Sequence, residues 1–271
     1  MALRRSPSAR SCVQPWPPRR VITLYWELFG FLALALVFWL TRHSRASQVL
    51  LFWFGAFLFA NSASFLVIIA TGNAGSSSND ISTLDTALSA TAMWIVYLFV
   101  TSQFLQVTWR NFRSTIGATF VRRDVVVGIP LGIGSQLILV NAVNWPLARL
   151  FPDAFSFEEV SKRASDLVDA AHGGWVVLLA FVVIIGAPIV EEIVYRGVVQ
   201  PGLVASWGRT AGIVTTAALF AAIHMQPVEF PGLLAFALVL GWARHSTGTI
   251  GMSIVTHMAF NATGLALVVL L

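Results

Sequence analysis

Two adjacent carboxylates and an arginine stand inside a stretch otherwise apolar enough for a membrane, GGWVVLLAFVVIIGAPIVEEIVYRGVVQ at residues 173–200. An ionisable side chain at the bilayer centre costs about 3 kcal/mol even on a lenient insertion scale. Glu191, Glu192 and Arg196 must therefore pair with one another or face a wet cavity. On a helix, Glu192 and Arg196 are i, i+4 neighbours on one face, and Glu191 is turned about 100° away. One carboxylate can neutralise the guanidinium while the other points elsewhere. Pro188 would free the carbonyl of Ile184 and kink the helix near the pair. Taken alone, the cluster also reads as a buried ion pair with a spare, protonated carboxylate.

Two more polar groups interrupt apolar segments. His224 ends LFAAIH, with Phe220 one turn before it; His257 and Asn261, in THMAFN, share a face at i, i+4. Singly, His224 reads as a packing or interfacial group, and His257 with Asn261 as an interhelical clasp. Together, a Glu, two His and an Asn on three helices are the parts needed to activate a water for peptide hydrolysis. Glu191 is the candidate general base. The histidines could hold a zinc ion, with Glu191 completing a His₂Glu set and one position left for water. They could equally orient the water or stabilise an oxyanion without metal, with Asn261 as a neutral donor. No HExxH occurs, which excludes the soluble zincin arrangement.

The elements that must position these residues are membrane helices. Charged residues make up 11% of the 271, against about 25% in an ordinary soluble domain, so the chain reads as an all-α, multi-pass cell-membrane protein. Apolar runs cover roughly 21–40, 49–70, 87–107, 125–148, 174–200, 209–226, 228–243 and 249–271. They predict eight apolar helices, or seven crossings if the short 228–243 run, with Pro227 and Pro231 at its entry, is re-entrant. The loop 149–172 holds a capping box at Ser156 and Glu159 and predicts a short amphipathic helix on the membrane surface. The net charge of +5 comes from arginines in the tail and loops, where they meet anionic lipid; nucleic acid is not an expected partner. A single cysteine, Cys12, excludes an internal disulfide. Simple alternating spans raise one conflict: Glu191 falls late in its run and His224 late in the next, antiparallel one, which sets them at different depths.

EExxxR at Glu191–Arg196, FxxxH at Phe220–His224 and HxxxN at His257–Asn261, in that order on separate apolar helices, resemble the CPBP family. This is the CAAX-protease and bacteriocin-processing family, which includes the eukaryotic type II CAAX prenyl endopeptidase. The resemblance divides the chain into a disordered basic tail (1–20), N-terminal membrane helices outside the motifs (21–124) and a catalytic core (125–271). It implies an intramembrane endopeptidase acting on a membrane-associated peptide or protein. Glu191 would activate the water beside His224, Glu192 and Arg196 would shape the site, and His257 and Asn261 would complete a metal site or an oxyanion hole. Family members are argued to be either metalloproteases or metal-free glutamate enzymes. Two other readings stay open: a non-catalytic membrane scaffold of the same fold, and a proton-coupled transporter, since intramembrane Glu, His and Arg also build proton relays. Nothing in the sequence speaks to oligomeric state.

Overall fold

A computed structural model describes residues 44–76, 81–152, 155, 165–166, 168–169, 171 and 174–270, all within the unit His43–Leu271. The basic tail 1–20 and the first apolar run 21–40 lie outside the described residues, as does most of the amphipathic helix expected within 149–172.

Apart from the helical residues 165–166 and 168–169, the described residues form eight helices and no strand. They are α1 Arg45–Ala70, α2 Thr83–Leu105, α3 Trp109–Thr115, α4 Arg122–Leu150, α5 Trp175–Trp207, α6 Arg209–Ala222, α7 Phe230–Thr247 and α8 Gly251–Leu270. Five of them, α1, α2, α4, α5 and α8, are long and apolar enough to cross a membrane. The protein is an all-α, multi-pass integral membrane protein. Helix α6 has 14 residues and rises only about 21 Å. Helix α7 opens at Pro231 and ends in the polar run Arg244–Thr247. The short α3 lies in the basic loop and was not anticipated, because it has too few apolar residues to show a period.

Local chemistry sets the ends of the elements. The Ser44 hydroxyl accepts from the Ser47 N–H at 3.2 Å, and the Ser82 hydroxyl from the Asp85 N–H at 3.1 Å, each satisfying a donor that a helix start leaves open. Between α5 and α6 the chain reverses at one residue, Gly208, whose φ of +81° favours glycine.

That reversal removes the depth conflict. The sequence suggests a helix ending near residue 200, where Pro201, Gly202 and Ser206 dilute the apolar run. The helix in fact continues to Trp207, and Glu191 is the midpoint of its 33 residues. Glu191 lies 17 residues before Gly208 and His224 lies 16 after it. The counts along the two arms of the hairpin nearly match, which puts the two residues at a similar level, and both line one cavity.

Around this hairpin, α1 packs on α2, α4 on α8, and α6 on α7. The α4–α8 approach depends on glycine. A Cβ on Gly132 would meet the Thr256 carbonyl and stand 2.7 Å from the Ala259 Cβ. Gly132→Leu is expected to force the pair apart at a cost of about 1–3 kcal/mol. The check is a lowered thermal midpoint in detergent, with Gly134→Leu, which meets nothing within 4 Å, as the neutral comparison.

Candidate functional site

Helix α5 carries the EExxxR motif and departs from regular α geometry before it and at its C-terminal end. Phe181–Gly186 and Tyr195–Val199 run as π turns, bonding i to i−5. Such turns concentrate at functional sites. In the first, the Ala187 N–H reaches the Val182 carbonyl, and the next residue, Pro188, has no N–H to give Val183. In the second, the Gln200 N–H reaches the Tyr195 carbonyl, and Pro201 likewise leaves Arg196 without a donor. Both vacant carbonyls are satisfied from other helices. The Asn261 amide donates to the Val183 carbonyl at 2.8 Å, and Arg244 Nε to the Arg196 carbonyl at 2.9 Å. The sequence reading placed the freed carbonyl at Ile184; the wider π spacing moves it to Val183.

A fully buried ion pair joins the α-helical segment between the π turns to the second π turn. Arg196 Nη1 donates to Glu192 Oε1 at 2.9 Å, and neither side chain is exposed. Arg196 Nη2 donates to the Ala237 carbonyl of α7 at 3.1 Å, and its Cζ lies 4.8 Å from the ring centre of Phe220 in α6. Glu192 Oε1 also stands 3.0 Å from His257 Nδ1. A carboxylate bound to a guanidinium is an acceptor, so Nδ1 carries the proton and donates. The opposite ring nitrogen, Nε2, faces Glu191 Oε2 at 3.7 Å. His257 is thus held edge to edge between the two glutamates.

His224 is anchored similarly. Its Nδ1 lies 2.8 Å from the Phe220 carbonyl; a carbonyl only accepts, so Nδ1 donates. The Phe220 ring lies 5.0 Å from the His224 ring and 5.7 Å from that of His257, and so packs on both imidazoles. Glu191 and His224 line a cavity of ≈ 200 Å³ together with Asn61 on α1, Tyr97 on α2 and Tyr195 on α5. Glu191 keeps 27% of its side-chain surface exposed, whereas Glu192 keeps none.

The structure therefore gathers Glu191, Glu192, Arg196 and His257 into one contiguous chain of contacts, and brings His224 to the same cavity as Glu191. Asn261 makes its amide hydrogen bond to the α5 backbone. Among the described residues, no three His, Cys, Asp or Glu side chains are grouped to hold a metal ion, Glu191, His224 and His257 included. Sequence reasoning missed Tyr97, Tyr195 and Arg244. The signal for Arg244 was Pro201, five residues after Arg196; the tyrosines carried none.

Residues 173–263 match the family model described as type II CAAX prenyl endopeptidase Rce1-like. The resemblance read from the three motifs is borne out, and all six candidate residues fall inside the match. No curated protein and no solved structure matches the chain. Helices α1, α2 and α4 lie outside the matched residues, although α1 and α2 supply part of the cavity wall.

Removing one member of a buried pair strands the other. Arg196→Met is expected to cost about 3–5 kcal/mol, seen as loss of the folded fraction by size-exclusion chromatography in detergent. Arg196→Met combined with Glu192→Leu is expected to recover part of that loss, because no lone charge is left inside.

Proposed function

We propose that the protein is an intramembrane endopeptidase that hydrolyses a peptide bond of a membrane-associated peptide or protein, with Glu191 as the general base. The observation that carries this reading is the division of labour between two adjacent carboxylates. Glu192 is consumed by Arg196 and His257, while Glu191 opens to a cavity and keeps a histidine nitrogen at 3.7 Å. The family match supports the reaction class.

The chemistry follows from those positions. A water beside Glu191 gives its proton to the carboxylate as its oxygen attacks the scissile carbonyl carbon. Collapse of the tetrahedral intermediate breaks the C–N bond, and the proton held by Glu191 passes to the leaving amine. Glu192 fixes the His257 ring through Nδ1, so that Nε2, the acceptor nitrogen of the neutral ring, faces Glu191 and can take a hydrogen bond from it once Glu191 holds the proton from water. His224, tethered by the Phe220 carbonyl, presents its other nitrogen on the same cavity and orients the water or the substrate carbonyl. Asn261 acts from behind the site, holding the π turn upstream of Glu191 to α8. A zinc ion would need Glu191, His224 and His257 as its ligands, and these are not grouped for one; no step here runs through a metal.

The test is cleavage of membrane-inserted peptides by purified protein in liposomes. Glu191→Gln and His224→Ala are each expected to lower the rate by at least about 10², with an unchanged elution profile in detergent. A doubly substituted protein that still cleaves would remove the proposed site. In the same assay a strong zinc chelator is expected to leave the rate unchanged. A loss restored by added zinc would replace the metal-free route by one in which both histidines close on Glu191.

A further inference from the structure

The cavity beside Glu191 is completed by residues outside the family match, and one contact there has a consequence for the reaction. Trp53 on α1 donates its indole N–H to the Tyr195 hydroxyl at 3.0 Å, in a buried contact. Both side chains are almost fully enclosed, Trp53 at 7% and Tyr195 at 2% exposure. An indole nitrogen is a donor only, so the Tyr195 oxygen is the acceptor and its own proton is left over. No described residue accepts that proton. The Tyr195 ring is fixed edge-on against Phe220, centroids 5.2 Å apart, and the side chain lines the same cavity as Glu191 and His224. A buried hydroxyl proton without a partner costs free energy until something accepts it, and the cavity is the open volume next to it.

We infer that Tyr195 is a further catalytic residue, whose phenol O–H, oriented by Trp53, donates a hydrogen bond to the carbonyl oxygen of the peptide bond that Glu191 serves. This deepens the proposed function and rests on it. The bond strengthens as negative charge develops on that oxygen, and a donor held in place before reaction needs no reorganisation. The proton stays on the phenol throughout; the water oxygen forms the new C–O bond, and the leaving amine takes the proton from Glu191 as before. Trp53 acts only through Tyr195 and is a positioning residue.

Tyr195→Phe keeps the ring against Phe220 and deletes only the hydroxyl. In the liposome cleavage assay it is expected to lower kcat by about a hundredfold with a much smaller change in KM. Trp53→Phe is expected to move kcat in the same direction by less, since the phenol survives without its guide. Wild-type kcat and KM in Tyr195→Phe would overturn the inference while leaving the Glu191 reading intact. Peptide affinity, measured by fluorescence in the Glu191→Gln background, supplies the independent arm. Should the wild type bind these peptides without cleaving them, the proposed function fails. Affinity then decides for Tyr195: a severalfold weakening with Tyr195→Phe supports the donor, and equal affinity overturns it. A chain that neither cleaves nor binds the peptides overturns both readings.

Discussion

One guanidinium organises this protein. Arg196 is wholly buried, and its contacts reach three elements: Glu192 on its own helix, the Ala237 carbonyl on α7 and the Phe220 ring on α6. Glu192 extends the set to α8 through His257. Taking such a charge out of water is tolerable only where a counter-charge and further hydrogen-bonding partners are already in position. The packing of α5, α6, α7 and α8 is thus constrained by what one side chain needs. The same need explains why two carboxylates stand side by side. Neutralising Arg196 keeps Glu192 wholly buried, so a second acid is required if any carboxylate is to meet a cavity.

The irregular backbone of α5 serves the same end. Each π turn inserts an extra residue and re-aims those that follow, and each is followed by a proline that cannot close its last hydrogen bond. A free carbonyl at that depth has no water to turn to and must find a donor in the protein. Asn261 and Arg244 supply it from α8 and α7. Two part-buried polar side chains are therefore explained by backbone accounting before any chemistry is invoked. Asn261 was read from the sequence as an oxyanion donor or a member of a metal site. In the structure its amide donates to the Val183 carbonyl, on the helix segment from which Glu191 projects.

What the sequence disclosed, and what it hid, divides along the range of the interactions. The Glu192–Arg196 pair was legible because it is local: an i, i+4 spacing inside an apolar run leaves little else for the two charges to do. The membrane helices were legible because their composition is. The depth of Glu191 was hidden, because Pro201, Gly202 and Ser206 mimic a helix end, whereas tertiary donors let α5 run on to Trp207. The level pairing of Glu191 with His224 depends on that extension and on a one-residue turn at Gly208. The cavity wall was hidden for another reason. Asn61 and Tyr97 belong to helices whose sequence carries no motif, and nothing in α1 or α2 distinguishes a cavity-facing aromatic from a lipid-facing one.

The arrangement of the two imidazoles separates a compact site from a proton wire. Each ring is tied down through Nδ1, His224 by the Phe220 carbonyl and His257 by Glu192, so each has only Nε2 to offer. A relay across the membrane needs polar groups in hydrogen-bonding succession. Here, among the described residues, no hydrogen bond joins the two histidines; each packs on the Phe220 ring, 5.0 Å from one and 5.7 Å from the other, and an aromatic ring passes no proton. Phe220 touches both histidines at once, one through its carbonyl and the other through its ring. Glu191 is then the group that both can address, His257 across 3.7 Å and His224 across a shared cavity. That grouping around one carboxylate suits the hydrolysis proposed above better than a transport path, which must lead onward from every site it visits.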